Sequence, residues 1–315
     1  MKYIKVLPLV ALMGMNSAFA GYAEVGFERE DNNEAYSRAN LFSPYVASEF
    51  KPYNLPFTFG AKFQDFERDE YLKDSNNEST GQRANKERQD YWMIYEYKAT
   101  DDLKLVPIFR VRREQVPYQD TRSTEYRFYP KAIYQLTDNL SLRTDGYVAL
   151  VDSLTKARGD DKAESLSNKR YHYDDYKQEM EYQVDYKFDS SQSARFVIYH
   201  AYDRFGNTSP SGKDTQSVNE VQARLLYTTK LTDDLLVNLF ARFDVYRKYE
   251  RSDGATKENK RDRFGVSGYY DFTHELSLAY EYYYQPEANE NWSDVGGSNT
   301  SQNKNFYKLG IKYKF

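Results

Sequence analysis

Hydrophobic and polar residues alternate with a period of two along most of the chain, which is the pattern of strands with one apolar and one polar face. The closing segment shows it clearly, since every second residue is apolar in Tyr307, Leu309, Ile311, Tyr313 and Phe315. Each run is about ten residues long, the length that a tilted strand needs to cross a bilayer. The pattern predicts an all-β fold, a transmembrane antiparallel β-barrel closed by its own last strand.

The connections between the strands alternate between short turns and long polar loops. The short ones carry turn chemistry such as Thr-Asp-Asp and are predicted near 51–56, 99–102, 137–139, 189–192, 229–234 and 273–275. The long ones are predicted near 31–38, 69–88, 114–124, 152–172, 205–217, 248–262 and 286–304. Six turns and seven loops predict about 14 strands, with short periplasmic turns, long extracellular loops and both termini on the periplasmic side. The second strand, near 39–50, has the poorest alternation because of Pro44 and Glu49, and without it the count is twelve.

The N-terminus has the features of a secretory signal peptide. Lys2 and Lys5 precede a short apolar segment, 6–15, and Ala18-Phe19-Ala20 forms a small-x-small cleavage site. We therefore expect residues 1–20 to be a signal peptide and 21–315 to form the barrel. No other apolar run approaches the 18 or so residues of a transmembrane helix, so a helical membrane protein is excluded. The expected location is the Gram-negative outer membrane.

The composition adds a preference for tyrosine and an acidic balance. There are 32 Tyr and 19 Phe but 2 Trp, which suits aromatic girdles at the two membrane interfaces; a Tyr-rich soluble β-sandwich is the alternative. There is no cysteine, so no disulfide framework exists. The formal net charge is -4, and no basic excess points to nucleic acid.

Four segments resemble the OmpG-type porins. They are YQLTDNL at 134–140, RFGV at 263–266 with YYDF at 269–272, LSLAYEY at 276–282, and the closing GIKYKF at 310–315. Their order and spacing match that family best from about residue 125 to the end. The resemblance implies a single-chain, monomeric, fourteen-stranded barrel that passes sugars passively.

Enzymatic chemistry has little support in the sequence. The three histidines are His172, His200 and His274. A pair of His172 with Asp174 or Asp175 is a candidate element of a hydrolase, but a solvated loop histidine is the favoured interpretation. No nucleophile elbow, zinc-binding helix or calcium loop is present. We expect no catalytic residue, no metal and no cofactor.

The charged residues on the polar face of each strand are the candidate functional residues. The pore-lining set consists of Lys62, Arg110, Arg112, Arg127, Lys131, Arg143, Glu179, Glu181, Asp185, Asp203, Arg224, Arg242, Asp244 and Glu281. Strands five to seven form a basic wall, and strand eight is acidic. Mutual neutralisation within a polar lumen is one interpretation, and a transverse field that orients permeating solutes is the other. Inner aromatic residues can stack on sugar rings or belong to a girdle: Tyr129, Tyr147, Tyr199, Phe240, Tyr269 and Tyr283.

These features favour an outer-membrane porin, a passive diffusion channel for small hydrophilic solutes, especially mono- to oligosaccharides. One alternative is a channel for acidic oligosaccharides, in which Arg110, Arg112, Arg127 and Arg143 form an anion track. Another is a barrel enzyme or adhesin that uses loops 69–88 and 152–172. The expected partners are outer-membrane lipid, the solute, and the barrel-assembly machinery through the C-terminal strand.

Overall fold

A computed structural model gives the architecture and describes residues 19–33, 40–53, 55–68, 71–73, 79–83, 85–117, 121–155, 171–206, 215–295 and 299–315. Fourteen strands span it, four of them in two pieces: β1 Phe19–Asn33, β2 Leu41–Pro52, β3 Phe57–Arg68, β4 Lys86–Tyr95 with Tyr97–Lys98, β5 Leu103–Leu105 with Ile108–Val116, β6 Thr121–Tyr129 with Ala132–Gln135, β7 Leu140–Thr155, β8 Tyr171–Lys187, β9 Gln192–Arg204, β10 Thr215–Lys230, β11 Leu235–Arg251, β12 Thr256–Arg261 with Arg263–Asp271, β13 Leu276–Asn289 and β14 Thr300–Lys314. Within these ranges no helix is long and apolar enough to cross a membrane.

The strands form one closed antiparallel barrel, so the predicted fold class and strand number are confirmed. Each strand pairs with its successor, and β14 returns to pair with β1 from Lys314 opposite Tyr22 to Asn303 opposite Asn33. Phe315 completes this seam: its N–H donates to the Gly21 carbonyl at 3.1 Å, and its carbonyl accepts from the Gly21 N–H at 3.0 Å. Closure pairs both edges of each of the fourteen strands within the described part of the barrel. Most of residues 1–20 lie outside the described part, and β1 already begins at Phe19.

The two faces of the wall differ in chemistry. Large apolar side chains such as Phe109, Phe128 and Leu150 are exposed on the outer face. Charged and amide side chains such as Asp90 and Gln285 are each 1 % exposed on the inner face. An apolar outer face and a polar inner face reverse the arrangement of a water-soluble protein and are consistent with a barrel that lies in an outer membrane.

Six connections at one end of the barrel are four-residue turns, and we call this the turn end. In four of them a threonine hydroxyl oxygen accepts the N–H of the residue three positions later, at 3.0–3.1 Å. The turn between β8 and β9 uses Asp189 in the same way, and its Oδ1 accepts from the Gln192 N–H at 2.8 Å. The side chain satisfies a backbone group where the ladder stops, as expected for these residues in turns.

The opposite end, the loop end, is less regular than expected. The predicted long loops near 114–124 and 248–262 shrink to four-residue connections, because β5, β6, β11 and β12 continue through their polar residues. The connection between β3 and β4 contains a small hairpin of Tyr71–Lys73 and Ser79–Arg83. Alternation is lost at these strand ends because both faces meet water there, so the sequence pattern ends before the strand does.

The second strand forms despite Pro44. Proline donates no ladder hydrogen bond, and the pairing of β2 with β3 is interrupted between Phe42 and Tyr45. The Ser43 hydroxyl bridges the gap by donating to the Asp65 carbonyl at 2.7 Å. A side-chain hydrogen bond thus replaces the missing backbone bond, and the count stays at fourteen.

Candidate functional site

Charged side chains run around the inner face of the barrel, and we call them the belt; it contains the fourteen residues chosen from the sequence. Thirteen of them lie on strands and Lys131 lies in the break within β6, and all fourteen are buried or half-buried. Nine of the fourteen take part in ion pairs, and most of these pairs link neighbouring strands or strands two apart. The belt therefore divides into clusters, each described below.

The first cluster joins β4 to β5 through Asp90. This carboxylate is 1 % exposed and accepts from Arg110 at 2.7 Å and Arg112 at 2.8 Å. The sequence pattern had marked both arginines but not their partner. Because a lone buried carboxylate is costly, the two guanidinium groups are what make its burial tolerable.

The second cluster joins β6 to β8 across β7. Glu125 contacts Arg127 on its own strand and accepts from Lys177 Nζ at 2.7 Å. Lys177 reaches it because β7 places only Ala149 and Val151 between them on the inner face. Small residues on the intervening strand thus allow an ion pair between strands that do not touch.

The same arrangement recurs around the barrel. Glu181 on β8 accepts from Arg224 on β10 at 2.5 Å, across β9. Lys62 on β3 donates to Glu28 on β1 at 3.1 Å, across β2. Other contacts lie within one strand or between adjacent strands. They are those of Asp145 with Lys131 at 3.2 Å and Arg143 at 2.9 Å, of Asp185 with Arg195, and of Asp244 with Gln222 at 2.6 Å.

Aromatic rings on the inner face are partly covered by cations. Arg127 lies 4.1 Å from the ring centre of Tyr147, and Arg224 lies 3.6 Å from that of Tyr199. Tyr147 also donates its hydroxyl to Glu179 at 2.7 Å. Both rings are 5–7 % exposed, so cation–π contacts hold them against the wall and leave little ring surface for a sugar.

Five members of the chosen set have no ion pair within the described residues: Glu179, Asp203, Arg242, Asp244 and Glu281. Arg242 lies 5.6 Å from the ring centre of Phe240. The neighbouring Arg263, absent from the chosen set, donates from Nε and Nη2 to Gln285 Oε1 at 2.9 and 2.6 Å, and its guanidinium carbon lies 4.0 Å from the ring centre of Tyr283. These two arginines are the least neutralised guanidinium groups of the belt.

The loop end carries a separate cluster above the belt. Arg251 donates to Asp253 at 3.0 Å and to Asp294 at 2.7 Å, and the Trp292 ring lies 4.9 Å from its guanidinium carbon. Hydrogen bonds from Arg251 and from the Ala255 N–H, together with the charge of Arg251, hold the pKa of Asp253 below its usual range. This cluster ties the β11–β12 connection to the segment after β13.

The histidines do not form a catalytic arrangement in the part of the chain that is described. His172 is exposed and lies 3.3 Å from Asp152 rather than beside Asp174 or Asp175. His200 lies on the outer face with Phe196 and Ile198 and contacts Asn219 at 3.1 Å. Among the described residues no three histidine or acidic side chains are grouped for a metal ion.

No protein-family model and no curated protein matches the sequence. Among solved structures, the toluene transporter TodX of P. putida has a TM-score of 0.51 and 10 % identity, over 96 % of this chain and 92 % of TodX. OmpT of Vibrio cholerae, an outer-membrane protein, has a TM-score of 0.49 and 12 % identity, over 94 % and 97 % of the two chains. The identities are too low to transfer function, but the chain shares the fold of an outer-membrane channel.

Proposed function

We propose that this protein is an outer-membrane porin, a passive diffusion channel for small hydrophilic solutes and in particular for mono- to oligosaccharides. The observation that carries the proposal is the inner face itself. It bears a nearly continuous belt of charges of both signs inside a closed fourteen-stranded wall whose outer face is apolar. Such a wall is stable only with lipid outside and a polar interior.

The charged belt can act on a polar solute as it passes through the barrel. The ion pairs fix long side chains against the wall, so that they resist displacement into the passage. The basic side chains outnumber the acidic ones on β3 to β7, whereas β8 carries Glu179, Glu181 and Asp185. The resulting transverse field would orient water and solute hydroxyl groups as they pass. Selection would then rest on size and dipole, without any bond being made or broken.

The charged wall distinguishes this proposal from the transport of hydrocarbons. TodX is a toluene transporter, but an apolar solute gains nothing from an interior of arginine and carboxylate groups. The same wall of ion-paired side chains suits the passage of polar solutes, and we therefore propose a channel rather than an enzyme. Periplasmic turns, extracellular loops and a monomeric state remain part of the proposal.

A second candidate is a channel for acidic oligosaccharides, favoured by the basic excess on β3 to β7. The anion track expected from Arg110, Arg112, Arg127 and Arg143 is weakened, however, because each of the four contacts a carboxylate. A channel for acidic sugars would have to use other arginines.

The test is the swelling of liposomes that contain the refolded protein. With isotonic neutral sugars outside, we expect rapid swelling with monosaccharides and slower swelling as the sugar lengthens. Empty liposomes and liposomes with heat-unfolded protein are the controls. Liposomes that fail to swell with any sugar, although they contain folded barrel, would refute the proposal.

A further inference from the structure

A band of aromatic side chains crosses four strands of the inner wall on the side away from Asp90. The cross-strand partners run from Phe240 on β11 to Gly265 on β12, Tyr283 on β13 and Phe306 on β14. Tyr283 and Phe306 are stacked, with ring centres 4.6 Å apart and planes 12° apart. Phe240 and Phe306 are half-buried, so part of each ring faces the passage.

Gly265 keeps this band continuous. A Cβ atom at this position would lie 2.4 Å from Phe240 Cζ and 2.7 Å from Tyr283 Cβ. The Phe240 ring therefore lies over the glycine, beside the backbone position that pairs with Tyr283. Because barrel strands are tilted, a row perpendicular to them rises around the wall, and the band forms a sloping apolar path in a charged interior.

A row of arginines borders the band on its loop-end side. Arg224, Arg242 and Arg263 are successive cross-strand partners on β10, β11 and β12. Arg224 is neutralised by Glu181, but Arg242 and Arg263 have no carboxylate within ion-pair distance among the described residues. Like charges directly opposite one another are unfavourable, and this pair lacks the acid that accompanies the other arginines of the belt.

We infer that the aromatic band, together with Arg242 and Arg263, is a binding site for a sugar that carries a carboxylate, such as a uronic acid unit. The inference rests on the proposed channel function and names the solute class. The two guanidinium groups supply fork-shaped donors that match a carboxylate, and the rings of Phe240 and Phe306 supply an apolar surface for the face of a pyranose. Glu281 lies on the opposite border of the band, where it can accept from sugar hydroxyl groups.

The chemistry of the flanking groups argues against a simple inorganic anion site. An anion alone needs the arginines but not the aromatic band, and a neutral sugar needs the band but not the arginines. Only a solute with both features uses the whole arrangement. Trigalacturonate, maltotriose and acetate are therefore suitable probes, because they present both features, the ring alone and the carboxylate alone.

The experiment is a bilayer recording of single channels with each probe added in turn. We expect trigalacturonate to interrupt the current for about ten times as long as maltotriose, and acetate at the same concentration to leave its interruptions unchanged. In Arg242→Gln/Arg263→Gln, the trigalacturonate interruptions should shorten about tenfold while those of maltotriose stay the same. Phe306→Leu, which keeps an apolar side chain, should shorten both about threefold.

Lys98→Gln is the matched comparison, because it removes one positive charge from an exposed position at the turn end, outside the belt, and leaves the proposed site intact. It should change trigalacturonate interruptions by less than twofold. If the double variant does not fold, the single variants Arg242→Gln and Arg263→Gln replace it, and each should shorten the trigalacturonate interruptions about threefold.

Current interruptions of equal duration with trigalacturonate and maltotriose in a conducting wild-type channel would overturn the inference and leave the channel function intact. Unchanged trigalacturonate interruptions in the arginine variants, or displacement of trigalacturonate by acetate, would also overturn it. A folded wild-type protein that does not conduct would instead refute the proposed function.

Discussion

At the scale of single residues, the interior of this barrel is organised by carboxylates that the sequence pattern did not single out. Asp90, Glu125 and Glu220 are each at most 4 % exposed, and each is contacted by at least two cations. Alternation along one strand predicts which face a residue occupies. It does not predict the ion pairs, because these depend on the register between strands and on small residues such as Ala149.

Asp90→Asn tests the role of the buried carboxylate. Asn keeps the shape but not the charge, so Arg110 and Arg112 lose their counter-ion. We expect ion selectivity to move toward anions and the free energy of unfolding to fall by about 1–3 kcal/mol. Reversal potential in a salt gradient and urea unfolding are the measurements. An unchanged reversal potential would show that these arginines do not face the passage.

Phe109→Arg tests the assignment of the two faces. Phe109 is 48 % exposed on the outer face, directly before Arg110 on the inner face. An arginine at mid-bilayer on the lipid side costs roughly 2–4 kcal/mol, so the yield of folded barrel should fall sharply. Phe109→Leu is the control and should fold normally. Equal folded yields from the two variants would reverse the face assignment.

At the scale of elements, the turns were the easiest features to predict and the loops the hardest. The Thr-Asp-Asp and Thr-Asp-Asn segments encode their own hydrogen bonds, as at Thr137 and Thr232, so local sequence suffices. The connections at 117–120 and 252–255 were expected to be much longer, because polar residues at strand ends look like loop residues. Only pairing with a neighbouring strand reveals them as β-structure.

The turn between β8 and β9 has a predictable pH dependence. Asp189 accepts from the Ser191 hydroxyl and the Ser191 N–H, both at 2.7 Å, and these bonds lower its pKa. A carboxyl whose pKa is lower in the folded state stabilises the fold above its unfolded pKa of ~3.9 and loses this effect as the pH falls through its folded pKa. Asp189→Ala should therefore lower the urea midpoint at pH 7, and the difference should vanish on acidification.

Asp138→Ala, in the exposed turn between β6 and β7, is the control for this titration. It should leave the urea midpoint nearly unchanged at both pH values. A difference between wild type and Asp189→Ala that persists unchanged at the lowest pH would contradict the assigned role of the carboxylate.

At the scale of the whole molecule, the closing seam joins the last strand, β14, to the first strand, β1. Phe315 exchanges two backbone hydrogen bonds with Gly21, so the last residue secures the first strand. The closing strand was predictable, because its alternation is regular. Its pairing with β1 follows from closure, since otherwise two strand edges would stay open within the membrane.

Deletion of Phe315 tests the seam. It removes both hydrogen bonds and the aromatic end of β14, so we expect a lower yield of heat-modifiable barrel in membranes while export continues. Phe315→Tyr keeps the backbone and the ring and should assemble normally. A deletion variant that assembles as well as the wild type would show that the seam does not need its last residue.

The measurement that most directly tests the central claim is the single-channel conductance of the refolded wild-type protein in a planar bilayer. The account predicts a stable, ohmic conductance that closes in single steps, as expected for a monomer, and that decreases when permeating sugars enter the passage. A barrel that inserts fully folded but passes no current would contradict the claim that its charged interior is a channel.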